Sequence, residues 1–109
     1  MRLETRQSLL DIREAVQEIQ SIAASGELSR TEWLAVERLL MIVGECLIRV
    51  RHFEPDVLDE ITDAMQIIGL RNVLVHGYDS VDQSRLDDAV RKNLPVLLAE
   101  VSALIGPVG

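Results

Sequence analysis

Within eight positions, Arg71-Asn72-Val73-Leu74-Val75-His76-Gly77-Tyr78, the chain places an arginine, an asparagine, a histidine and its only tyrosine in an otherwise aliphatic helical pattern. Packing an aliphatic helix requires none of these four. Arginine is a permanent cation whose planar fork suits a phosphate. Histidine gains and loses a proton near neutral pH. A phosphate-binding group beside a general acid/base is the minimum equipment for metal-free cleavage of RNA, where the ribose 2′-hydroxyl supplies the nucleophile. Asn72 continues an apolar seam, where a buried amide costs free energy unless it is hydrogen-bonded. It either fixes the register of a helix–helix contact or orients the reactive groups.

The motif reads R-x4-H-x-Y. Two further landmarks flank it: Ala35-Val36-Glu37-Arg38 followed by Gly44-Glu45 upstream, and Leu94-Pro95 downstream. With these landmarks in this order, the chain resembles the HEPN ribonucleases, specifically the HepT-like toxins of HepT/MntA toxin–antitoxin pairs, over most of its length. The resemblance implies a metal-independent endoribonuclease toxin with Arg71 and His76 as catalytic residues and Asn72 in support. It implies RNA as substrate and a 2′,3′-cyclic phosphate as product. It also implies a MntA-like nucleotidyltransferase as antitoxin partner, one that silences the toxin by attaching AMP to Tyr78. An alternative within the same resemblance is a non-catalytic accessory subunit of a minimal nucleotidyltransferase.

Arg71 and His76 are five residues apart, about 140° around an ideal helix, so they are not natural neighbours within one chain. Either the helix ends near Gly77 and His76 can swing, or two copies pair so that their groups meet across a two-fold axis. The resemblance implies the second, a composite site in a homodimer cleft.

The remaining chemistry-bearing residues read more plainly. Glu45 is expected at a charged rim or in an ion pair. His52 ends Arg49-Val50-Arg51-His52, a run of cations at a helix C-terminus, where the helix dipole favours them. Cys46 suits a small core position. Two histidines and one cysteine lack metal-ligand spacing, and no Gly-rich phosphate loop or Ser/His/Asp arrangement is present, so no metal or cofactor is expected.

The net charge of −7 runs against a simple nucleic-acid binder. A cleaving site needs only a local group of cations, which Arg49, Arg51, His52 and Arg71 could form, and a partner protein could bring further positive surface. A single cysteine excludes an internal disulfide and fits a reducing, cytoplasmic setting. No apolar run approaches the length of a membrane span, and the first residues lack a signal-peptide core.

The elements that must position the motif are helices. A length of 109 residues suits one domain, 1–109. With 48% hydrophobic but only 3% aromatic residues, the core must be aliphatic, which favours helix-on-helix packing. Leu9, Ile12, Val16, Ile19 and Ala23 form the stripe of a first amphipathic helix, stopped near Gly26. Ser29-Arg30-Thr31-Glu32 has the capping-box form and opens a second, with Val36, Leu39, Leu40, Val43, Leu47 and Val50 on its apolar face. Pro55 opens a third, with Leu58, Ile61, Met65 and Ile68 on one seam that runs on through Asn72 and Val75. Asp82 caps a fourth, bearing Leu86, Val90, Leu94, Leu97, Val101 and Leu104, with a deformation expected near Arg91 because Pro95 lacks a donor. The fold class is all-α, a four-to-five-helix up-down bundle, HEPN-like, with a Pro-kinked last helix.

Overall fold

Ser29 and Glu32 start the central helix as their types require. The Glu32 backbone N–H donates to Ser29 Oγ at 3.1 Å, and the Ser29 N–H donates to Glu32 Oε1 at 2.9 Å, a reciprocal capping box. The computed structural model describes residues 1–77 and 81–107. Its elements are α1 (Leu3–Ala23), α2 (Arg30–Phe53), a single-turn α3 (Pro55–Leu58), α4 (Ala64–His76), α5 (Gln83–Asp88), a π-helical stretch (Ala89–Asn93) and α6 (Leu94–Ile105). No strand occurs among the described residues. The protein is an all-α helical bundle.

The core is aliphatic. Leu9, Ile12, Val16 and Ile19 of α1, Val36, Leu40, Val43, Leu47 and Val50 of α2, and Leu94, Leu97 and Val101 of α6 are all buried. Each set recurs at steps of three and four, so each helix turns one continuous stripe inward. α2 is the middle element and packs against both α1 and α4, while α6 closes on α1. The pairs run antiparallel. Arg6 at the start of α1 donates from Nη1 to the Ile105 carbonyl at the end of α6, at 2.9 Å. Arg51, late in α2, reaches the Met65 sulfur at the start of α4, at 3.9 Å, whereas Gly44, earlier in α2, faces Arg71.

The third helix differs from the expected single rod. It breaks after Leu58, and residues 59–63 form a turn before α4. Ile61 is buried in this turn. Thr62 is tied to α6, its N–H donating to both Glu100 carboxylate oxygens at 3.1 and 3.3 Å and its hydroxyl to Oε2 at 2.7 Å. These tertiary bonds outweigh the continuity of the helical pattern, and the break resets its phase. Ala64, Ile67, Ile68 and Leu70 face inward, while Met65, Asn72 and Val75 face outward. The expectation that Met65, Asn72 and Val75 lie on the buried seam is therefore corrected.

The last rod deforms where Pro95 requires it. A proline ring would clash with the carbonyl four residues back, that of Arg91, and supplies no N–H. The backbone answers with a π turn over Ala89–Asn93, in which the Leu94 N–H donates to the Ala89 carbonyl, five residues back. Asn93 in this turn donates to Asp63 Oδ2 at 2.9 Å and to Gln66 Oε1 at 3.2 Å, and so holds the first turn of α4 against the last rod.

Candidate active site

The site is built on α4 and the stretch of α2 beneath it. Arg71 faces α2 over Gly44. A Cβ placed on Gly44 would stand 2.3 Å from Arg71 Cβ and 2.7 Å from Cγ, separations that atoms cannot share. Glycine is thus required here for close approach of the two helices, and the approach seats the Arg71 side chain across α2. This residue belongs to a landmark of the sequence, but its role depends on which residue it meets across the interface.

The Arg71 guanidinium is half-served. Nη1 donates to Asn72 Oδ1 at 3.0 Å. Nε is buried and meets no hydrogen-bond acceptor among the described residues. A buried cationic donor without an acceptor is costly. Asn72 is exposed and lies beside Arg71 rather than in the core. It stands one turn before His76, at the i,i+4 spacing that makes two side chains neighbours on a helix surface.

His76 is exposed and is the last residue of α4. Gly77 ends the helix in the left-handed conformation, φ 63°, with its N–H donating to the Leu74 carbonyl at 3.4 Å. That conformation suits glycine because it has no Cβ. The structure thus brings Arg71 and Asn72 into contact and sets His76 at the open end of the same helix. Tyr78, expected as the site of modification, lies outside the described residues.

The wider group of cations expected around Arg71 does not assemble. Arg49 lines a groove toward α1 with Leu3, Arg6 and Phe53. Arg51 reaches Met65, and His52 is exposed with its ring edge-on to Phe53, centroids 5.0 Å apart. The physical reason is helical phase: successive residues of α2 point to different sides, toward α1, solvent and α4. Glu45 is exposed and makes no ion pair among the described residues. Cys46 is buried, and that burial pushes its thiol up, with nearby Arg49 opposing. It is an unreactive core residue. Among the described residues, no group of three or more His, Cys, Asp or Glu could hold a metal ion, and no helix is long and apolar enough to cross a membrane.

Against known families, the sequence profile of the HepT-like family, described as "Ribonuclease HepT-like", matches residues 6–104. Searches of curated proteins and of solved structures each returned no match. The matched span runs from α1 to the last turn of α6 and contains Gly44, Arg71, Asn72 and His76.

Proposed function

Because the chain belongs to the HepT-like ribonuclease family, we propose that it is a metal-independent endoribonuclease toxin whose reaction is carried by Arg71 and His76. The observation that supports this most directly is the Arg71 guanidinium, held over Gly44 with one buried donor that meets no acceptor among the described residues, on the same helix as an exposed histidine.

In this reading His76 takes the proton from the ribose 2′-hydroxyl or returns one to the leaving 5′-oxygen. The 2′-oxygen bonds to phosphorus, the P–O5′ bond breaks, and a 2′,3′-cyclic phosphate and a 5′-hydroxyl result. Arg71 holds the scissile phosphate and offsets its growing negative charge. Asn72, accepting from Arg71 Nη1, orients the guanidinium.

Exposed apolar side chains on α4 support a homodimer. α4 is apolar on both sides, with Ile67, Ile68 and Leu70 buried inward while Met65 and Val75 remain 60% and 47% exposed outward. Large apolar side chains left exposed together on one helix face are normally covered by a partner. A second copy on this face would cover Met65 and Val75 and bring the Arg71 of one chain toward the His76 of the other.

Control is assigned to Tyr78. A MntA-like nucleotidyltransferase partner would transfer AMP from ATP, forming a phenol-oxygen–phosphorus bond and releasing pyrophosphate. The added charge and bulk would keep an RNA phosphodiester away.

The test is cleavage of a mixed-sequence RNA by purified protein. Arg71→Ala and His76→Ala should each lower the rate by roughly 10²–10⁴, with circular dichroism unchanged. Full activity in both variants would remove the proposed site. Co-expression with the partner should add whole AMP masses to wild type and none to Tyr78→Phe; modification elsewhere would overturn the assignment. A second reading, a non-catalytic accessory subunit of the nucleotidyltransferase, is favoured by the net charge of −7. It predicts no cleavage by wild type at any concentration.

A further inference from the structure

We propose that Arg85 is a second phosphate contact for RNA, on the opposite flank of α4 from Arg71; this rests on the ribonuclease reading. Met65, Gly69, Asn72 and His76 follow one another at steps of four, three and four, so they share one outward stripe of α4. Gly69 leaves a gap in that stripe, and Arg85 occupies it. Arg85 Nη2 lies 3.8 Å from where a Gly69 Cβ would stand. The guanidinium therefore lies across α4 one turn from Asn72, while Arg71 borders the stripe on the α2 side.

The described carboxylates around Arg85 are committed elsewhere. Asp87 pairs with Arg91 at 3.9 Å, and Asp88 pairs with Lys92 at 3.4 Å. Asp82 accepts from the Ser84 N–H at 3.0 Å as the cap of α5. The Arg85 guanidinium makes no hydrogen bond or ion pair among the described residues, while its backbone N–H donates to the Asp82 carbonyl at 2.9 Å. Beside it runs a cleft of about 280 Å³ walled by Gln66, Leu70, Asn93 and Asp88, the carboxylate that pairs with Lys92. In a chain of net charge −7, a cation without a carboxylate partner among the described residues, laid over a glycine on the candidate catalytic helix, is placed to hold a phosphate. A strand whose scissile phosphate sits at His76, held there by the Arg71 of the second copy, would meet Arg85 of the first with a neighbouring phosphate.

The experiment measures binding of a fluorescein-labelled, mixed-sequence 2′-O-methyl oligoribonucleotide, which lacks the attacking hydroxyl, by anisotropy across a salt series. Cleavage kinetics of the matching RNA run in parallel. Arg85→Ala should weaken binding roughly fivefold and reduce the slope of log Kd against log salt by about 0.7, one phosphate's worth on a single strand. KM should rise by the same factor, with kcat unchanged. Arg91→Ala removes the same charge from the same rod at a residue already paired with Asp87, and should leave all three readouts at wild-type values. Wild-type binding and slope in Arg85→Ala would overturn this proposal alone, as would an equal loss in Arg91→Ala, which would mark a net-charge effect. Absence of RNA binding and cleavage by wild type would overturn the ribonuclease reading and this proposal together.

Discussion

Gly44 gives the sharpest contrast between what a residue prefers locally and what its contacts allow. In the interior of an isolated helix, Gly→Ala is worth about 1 kcal/mol in favour of folding. At Gly44 the added methyl would stand 2.3 Å from Arg71 Cβ, so α4 must move off α2 or the side chain must twist. Overpacking of this kind typically costs about 1–3 kcal/mol. At this separation the contact term should win: Gly44→Ala should lower stability by up to about 2 kcal/mol net and reduce RNA cleavage through displacement of Arg71. Urea denaturation measures the first effect. The cause is separated by a double-mutant cycle, because in an Arg71→Gly background the clashing atoms are gone and the same alanine should no longer destabilise. Equal penalties in both backgrounds would show that Gly44 is not the seat of Arg71.

At the scale of elements, the ends of the helices carry much of the specificity. The Arg2 N–H donates to the Glu54 carboxylate, and the Arg2 guanidinium lies 5.9 Å from the Phe53 ring centroid, so the start of α1 is clipped to the end of α2. The Arg2 hydrogen bond holds the Glu54 carboxyl below its usual range. A folded-state pKa below the unfolded one contributes stability above the unfolded value and loses it as pH falls through the folded value. The clip should therefore persist at neutral pH and open only below the ordinary glutamate range. In an NMR titration the Arg2 amide resonance should move with the Glu54 carboxyl at acid pH and stay fixed over that range in Glu54→Gln. An Arg2 amide insensitive to Glu54 would remove the clip. The last rod makes a similar point about pattern. Leu86, Val90 and Leu94 recur at two consecutive steps of four, each of which overshoots an ideal α-helical turn by about 40°. The wider π turn over Ala89–Asn93 absorbs that overshoot and keeps all three buried.

At the scale of the molecule, the fold is a slab of 38 × 29 × 18 Å, thin enough that α4 keeps one face open. A small domain has a high ratio of surface to volume and gains proportionally from pairing. Light scattering should report twice the chain mass of 12.2 kDa, or a larger even multiple. Met65→Glu and Val75→Glu, which put charges on the uncovered face, should shift the population toward monomer and lower cleavage with it. A strict monomer at micromolar concentration that still cleaves RNA would end the composite-site argument.

Much of this was legible in the chain itself. Apolar stripes at three-four spacing, the Ser29 box, the Asp82 cap and Pro95 mark helices through forces acting within a few residues, and those forces do not depend on the rest of the fold. The Arg71 to Tyr78 motif and its flanking landmarks were legible for the same reason, since residue types and spacing are written in the sequence. What the tertiary structure alone decided is the phase of α4. The pattern carried the seam unbroken from Leu58 to Val75, but Ile61 burying in a turn and Thr62 binding Glu100 reset it. That turned Asn72 outward. The contacts of Gly44 with Arg71 and of Gly69 with Arg85, and the dispersal of Arg49 and Arg51, were hidden for one reason. Each depends on where a second helix lies, and a helix's own sequence does not contain its neighbour's position.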